Sequence, residues 1–243
     1  TFALPKSILY TMSVKLSNIY KSYGKQEILH DVSFEVKCGE ITSFLGINGA
    51  GKSTCMKIIT GGLVQDKGEI YICGHNIIED PLSSKKQIGY LPENNPLYPE
   101  MYVREYLIYV AGLYRLTNAS QIVDEMIERI RLTDVCGKTI HTLSKGYRQR
   151  VGLAQSLLHN PCILILDEPF SGLDPNQLDE MHDMLRELGK EKAILFSSHS
   201  LQEVKDLCQH TIILHNHRIV ADAPTEELIQ EMSLEDKFKQ LTQ

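Results

Sequence analysis

An α/β fold with a helical insertion is the architecture this sequence predicts, and three observations predict it. Strand pattern at 41–45 runs straight into the glycine-rich loop Gly46 to Thr54 (GINGAGKST), after which helical pattern begins. A second apolar run, Cys162 to Leu166, ends in Asp167 and Glu168, as a strand covered on both faces can end in a site at its carboxyl edge. Between the two, from about 93 to 158, helical periodicity replaces strand signal.

Taken in order, residues 1–12 carry Phe2, Leu4, Ile8 and Leu9 with only Lys6 and a Pro5, a poor match to a secretory leader. Met12 opens the recognisable pattern, and 1–12 are read as an N-terminal extension. Residues 13–45 read as short strands, Val32, Phe34 and Val36 alternating with polar neighbours. Residues 52–60 read as a helix stopped by Gly61 and Gly62. Residues 68–74 alternate again between bounding glycines.

The middle changes character. Pro92, Pro96 and Pro99 mark turns before helical pattern at 103–114. Ile122, Val123, Met126, Ile127 and Ile130 then line one helix face, with Ser120 as its N-cap. The stretch 143–149 precedes a helix over 150–158. Strand pattern resumes at Cys162. Asp174 and Pro175 supply an N-cap and a proline at the first helical position, with Leu178, Met181, Leu185 and Leu188 facing inward. Residues 193–196 form another buried strand, and Ser200 with Glu203 reads as a capping box. A hairpin turns at Asn216 between 211–214 and 218–221. Ser233 caps a last helix bearing Leu234, Phe238 and Leu241. The pattern divides into one domain over 13–243: a core at 13–92 and 159–243, and a helical subdomain at about 93–158.

Composition excludes some functions. The 243 residues carry a net charge of −6, the wrong sign for a general nucleic-acid binder. No apolar run approaches the roughly 18–20 residues that span a bilayer, so work at a membrane requires a partner. Cys38, Cys55, Cys73, Cys136, Cys162 and Cys208 show no paired or metal-ligand spacing. They read as structural or incidental residues of a reducing compartment.

The chemistry concentrates in a few places. Glycines between Gly46 and Gly51 let backbone amides approach phosphate oxygens, and the following helix offers its positive end to the same charge. Lys52 then reaches the β- and γ-phosphates of a nucleotide, and Ser53 holds Mg²⁺. Asp167, at the end of its strand, suits the water shell of that cation, and Glu168 suits a general base. Ser144 to Gly146 forms a second capped, open helix N-terminus. Taken alone it fits either an anion site or a solvated surface helix with Lys145, Arg148 and Arg150, the latter also able to meet nucleic acid.

These motifs in this order resemble the ATP-binding cassette (ABC) ATPases, over Ser13 to about Leu241. Gly46, Asn48, Gly49, Ala50, Gly51, Lys52, Ser53 and Thr54 match the family's Walker A loop. Ser144, Lys145 and Gly146 match its signature, and Cys162 to Glu168 its Walker B with the catalytic glutamate. Ser171 to Asp174 resembles the D-loop, His199 the switch histidine, and Tyr23 the aromatic that stacks on adenine. Two positions depart from the usual pattern: Lys145 stands where Gly is common, and Glu93 where Gln is common. Residues 90–98 with 144–147 resemble the exporter-type (ABC-2) branch, including gliding-motility-associated ATPase subunits.

The resemblance implies a P-loop NTPase (RecA-like) core with an antiparallel β subdomain and the inserted helical subdomain. It implies an ATPase of ATP and Mg²⁺ that energises an ABC transporter through an ATP-dependent head-to-tail dimer, with Glu168 and His199 catalytic. Tyr23, Glu93, Asp174 and the signature residues would bind nucleotide, while Ser53, Asp167 and Glu93 would bind the metal. The partners implied are a transmembrane permease subunit and a second ABC ATPase subunit, a homodimer, with no nucleic acid. The location is cytoplasmic, peripheral at the inner face of the cell membrane. Other expectations are a soluble ABC ATPase of an iron–sulfur-type assembly complex, or a nucleotide-dependent scaffold that turns over slowly.

Overall fold

The computed structural model describes residues 13–230 and 232–242. The extension read at 1–12 lies outside the described residues. Two sheets form the frame. Strands β1 (Ser13–Tyr23), β2 (Gln26–Lys37), β4 (Lys67–Ile72) and β5 (His75–Asn76) make an antiparallel sheet in the order β2-β1-β4-β5. Strands β3 (Ile41–Leu45), β6 (Ile88–Leu91), β7 (Ile163–Asp167), β8 (Ala193–Ser198), β9 (His210–His215) and β10 (Arg218–Pro224) make the second sheet, in the order β10-β9-β3-β8-β7-β6. From β9 to β6 its strands are parallel; β10 closes one edge antiparallel. Every residue of β3, β7 and β8 is buried, which explains why they read as continuous apolar runs rather than alternating ones.

The helices are α1 (Lys52–Ile59), α2 (Pro81–Lys86), α3 (Val103–Leu113), α4 (Ala119–Arg129), α5 (Lys145–Leu157), α6 (Pro175–Gly189), α7 (Leu201–Leu207), α8 (Thr225–Leu228) and α9 (Leu234–Thr242). One face of the six-stranded sheet shares a core with α3 to α7, through residues such as Leu107, Met126, Leu153, Leu166, Leu185 and Phe196. The other face takes α1 and the antiparallel sheet, through Phe34, Phe44, Met56, Ile72 and Ile165. The parallel sheet is thus covered on both sides, and its strand ends near Leu45 and Asp167 emerge at one edge.

Local chemistry accounts for the departures from expectation. Residues 13–37 form two strands of 11 and 12 residues rather than several short ones. Asn18 and Asp31 break the alternation because both adopt positive φ (51° and 53°) at register shifts, and Asn18 Nδ2 donates to Asp31 Oδ1 at 2.7 Å. The expected cap Ser120 is corrected to Asn118, in the left-handed region, with α4 starting at Ala119. Ser120 Oγ instead accepts from Arg104 Nη2 at 2.7 Å, tying α3 to α4. The helix expected at 150–158 begins five residues earlier, directly after its cap Ser144, whose side chain accepts from Tyr147 N. Strand β5 and helix α2 were not anticipated. Asp80 caps α2 and Pro81 opens it, a signal present in the sequence but attached to a helix too short to show periodicity.

Candidate functional site

Strand β3 delivers the chain into the glycine-rich loop, and α1 leaves it. Gly51 is the N-cap of α1 at φ 113°, and a Cβ there would lie 2.7 Å from the Ile28 carbonyl oxygen. A Cβ on Gly46 would lie 2.6 Å from the Leu214 carbonyl oxygen. Both positions need glycine because backbone passes against backbone. No side chain caps α1, so its first-turn amides stay available to an anion.

Lys52 is buried to 7% exposure, with Nζ donating to the carbonyl oxygens of Gly46 at 2.5 Å and Ile47 at 3.3 Å. Burial pushes its pKa below the ordinary lysine range, against the opposing pull of Glu168, Asp167 and Glu93. Three carboxylates therefore face one buried ammonium. The tyrosine on β6, Tyr90, is pushed up to about 12 by burial first and then by Asp167 and Glu93.

Ser197, fully buried on β8, organises the acidic pair. Its hydroxyl donates to Asp167 Oδ1 at 2.6 Å and accepts from the Glu168 amide at 2.9 Å. The first bond turns Asp167, which is 4% exposed, and the second holds Glu168 at φ 50°. A non-glycine residue in that region stores strain of about 1–2 kcal/mol. The result aims Glu168 toward His199, whose Nδ1 lies 2.9 Å from Oε2. Ser197→Ala would leave the Asp167 oxygen and the Glu168 amide without this partner. We expect it to lower unfolding stability by about 1–3 kcal/mol in a urea titration and to slow ATP turnover; unchanged stability would show that the bonds contribute nothing.

A cavity of about 430 Å³ gathers these groups. Asn48, Gly49, Gly51, Lys52, Ser53 and Thr54 line it from the loop, with Glu93, Glu168 and His199 opposite. Gly46 and Ala50 support the loop without lining the cavity, and Asp167 lies buried behind it. Sequence reasoning missed two lining residues, Gln26 and Ile28, and had not placed Ser171 on the nucleotide. Tyr23 does not line the cavity. It stands half exposed where β1 turns back to Gln26. Ser171 belongs to the 171–174 segment the sequence singled out, but Asp174 of that segment instead caps α6, accepting from Gln177 N at 3.0 Å.

Ser144, Lys145 and Gly146 are not brought to that cavity. Lys145 lines a neighbouring one of about 300 Å³, with Arg148 and Gln149, and Glu93 and Ser171 border both. Lys145 Nζ lies 3.4 Å from Ser171 Oγ. Ser53, Asp167 and Glu93 offer a hydroxyl and two carboxylates, the oxygen donors that Mg²⁺ prefers. No group of three His, Cys, Asp or Glu side chains among the described residues forms a preassembled metal cage. The oxygen donors present fit Mg²⁺, which Ser53, Asp167 and Glu93 would hold.

Comparison with known proteins identifies the family and the fold. A family model described as "ABC transporter" matches residues 29–171. The chain is 36% identical over 231 residues to the Bacillus subtilis ABC transporter ATP-binding protein YdbJ, spanning 91% of this chain and 75% of that protein. It is 34% identical over 217 residues to the bacitracin transport ATP-binding protein BcrA of Bacillus licheniformis, spanning 88% and 71%. Among solved structures, CbiO1 of Clostridium perfringens, described as part of the ABC transporter complex CbiONQ, superposes with a TM-score of 0.82. That alignment is 26% identical and covers 93% of this chain and 94% of the other.

Proposed function

The chain belongs to the ABC transporter family as an ATP-binding subunit, an ATPase that energises transport, and on that premise we propose which of its residues perform the reaction and how. What carries the proposal is the single cavity in which the uncapped start of α1, Lys52, Glu168 and His199 meet.

In this proposal the amides of Gly49 to Thr54 cradle the phosphates, and Lys52 turns from the Gly46 and Ile47 carbonyls onto the β- and γ-phosphates. Gln26 and Ile28 border the nucleotide from β2, with Tyr23 beside them for the base. Glu168, held by Ser197 and His199, takes the proton of the attacking water. His199 keeps the carboxylate directed and follows charge at the γ-phosphate. Mg²⁺ held through Ser53, Asp167 and Glu93 would neutralise phosphate charge during transfer. Positioning and charge stabilisation are the main demands of phosphoryl transfer, and these residues supply both.

The second part of the proposal is a head-to-tail pair of chains. Ser144 and Lys145 start α5 exposed and Asp174 starts α6 exposed, none of them lining the cavity of its own chain, and in this reading they close on a partner's nucleotide, with Gly146 buried behind them against Gln177. A two-fold pair would then hold two identical composite sites. We take 13–92 and 159–243 as the nucleotide core and about 93–158 as the helical subdomain that carries the signature. The membrane partner is a permease subunit, received beside 93–106, where Tyr98 and Tyr102 are half exposed and Met101 is packed beneath. No helix among the described residues is long and apolar enough to cross a membrane, and the working location proposed is the cytoplasmic face, through that permease. Intact Glu168 and His199 weigh against a slow scaffold, and relatives such as BcrA are transport subunits rather than assembly factors.

The test is to purify a tagged Glu168→Gln form from native membranes with Mg-ATP and identify its companions by mass spectrometry. A multi-span membrane protein should accompany a two-chain assembly. Reproducible recovery of soluble companions alone would overturn the permease assignment.

A further inference from the structure

The turn that carries His199 is braced by a residue outside the nucleotide cavity. Strand β8 ends at Ser198 and α7 begins at Leu201, so His199 and Ser200 form the whole connection. Among the described residues the imidazole has one polar contact, Nδ1 to Glu168 Oε2 at 2.9 Å, and its side chain is 65% exposed. An exposed ring with a single contact takes its position from the backbone beneath it, here residues 198 and 200.

Ser200 and Glu203 read as a capping box, and the structure completes half of it. Ser200 Oγ accepts from Glu203 N at 3.4 Å. The returning bond of a capping box would run from Ser200 N to the Glu203 carboxylate. Ser198 Oγ stands between them: it accepts from Ser200 N at 2.9 Å and donates to Glu203 Oε2 at 2.6 Å. A direct box would fix only the start of α7. With the hydroxyl inserted, the carboxylate fixes the last residue of β8 and the cap of α7 together, one on each side of His199. Ser198 is fully buried and Glu203 half-buried, so the link is shielded from competing water. Burial pushes the Glu203 carboxyl above the ordinary carboxylate range, opposed by the Ser198 bond. A cap on open surface would carry no such desolvation cost.

The preceding residue plays the matching part. Ser197 holds Asp167 and the Glu168 amide, one side of the Glu168–His199 contact. Ser198 holds the other side, so consecutive hydroxyls of β8 fix both partners of that contact.

We propose that, with His199 and Glu168 catalytic as read above, Glu203 is a positioning residue for ATP hydrolysis: through Ser198 it holds the turn that keeps His199 on Glu168. Glu203 does not line the nucleotide cavity. It acts through His199 alone, as a group that orients an imidazole without reacting.

Steady-state ATP turnover of the full chain tests this, with phosphate release measured across ATP concentrations. Glu203→Ala is expected to lower kcat about tenfold, the worth of one lost hydrogen bond, with KM for ATP unchanged. Ser198→Ala breaks the same link from its other end and should match it. Glu203→Gln keeps an acceptor oxygen for Ser198 and should recover most of the loss. In a His199→Ala background, adding Glu203→Ala should cost nothing further, because both changes disable one unit. A second readout needs no turnover. In nucleotide-free protein labelled at the histidine ring carbons, the resonance that His199→Ala removes should shift in Glu203→Ala and hold in Glu203→Gln. Parent-like kcat in Glu203→Ala or Ser198→Ala, an equal fall with and without His199, or a His199 resonance that does not move would each overturn the proposal. Parent-like turnover by His199→Ala is a different failure: it would remove His199 from catalysis, and the role of Glu203 with it.

Discussion

Glu168→Gln is expected to slow phosphate release by about two to four orders of magnitude while leaving ATP bound. The substitution keeps the side chain's size and an oxygen 2.9 Å from His199 Nδ1, so the contact that directs it survives. The main-chain amide of residue 168 still reaches Ser197 Oγ, and the positive φ that aims the side chain is set by that bond and by the turn rather than by charge. What disappears is the capacity to take a proton from water. A variant that binds ATP and does not release phosphate should also accumulate as a pair of chains, because the head-to-tail pair proposed above closes on ATP and opens after hydrolysis. Gel filtration with Mg-ATP reads the second effect and a phosphate assay the first. Turnover within about tenfold of the parent would remove Glu168 from the role of base and shift attention to Glu93, the remaining carboxylate on the cavity wall.

The features legible in the sequence were those carried by short-range chemistry. A strand followed by glycines, lysine and a hydroxyl residue needs no tertiary contact to be recognised, and β3, the loop and α1 follow that order. The fully buried strands β7 and β8 announced themselves as unbroken apolar runs. Cavity residues that were not legible come from contacts between distant segments. Gln26 and Ile28 sit at the start of β2 and reach the cavity only because the Ile28 carbonyl packs on Gly51. Ser197 falls just past the apolar strand read at 193–196, although the observed strand runs to Ser198. Its role depends on β8 lying beside β7, which pairs Asp167 with Ser197. Residues 13–45 read as short strands for a similar reason, because the register shifts at Asn18 and Asp31 interrupt the alternation. Their side chains satisfy each other across a bulge, and alternation alone cannot distinguish a bulge from a strand end.

Lys52→Ala is expected to weaken ATP binding by about 10- to 100-fold, the loss of one or two charge-assisted hydrogen bonds to phosphate. A second consequence follows from where Lys52 stands. Its ammonium faces Glu168, Asp167 and Glu93, and removing it leaves three carboxylates around a cavity without their cation. The nucleotide-free protein should therefore lose stability. Melting temperature separates the two effects. Without nucleotide, the variant should unfold below the parent. With ATP at a concentration that raises the parent's melting temperature, the variant should gain little, because stabilisation by a ligand scales with the logarithm of its concentration over Kd. A variant that melts lower yet gains the full ATP-induced rise would mean that Lys52 serves to hold the acidic cluster together and that the loop amides alone bind the phosphates. A variant unchanged in both measurements would contradict the pairing of Lys52 with the carboxylates and the phosphate contact together.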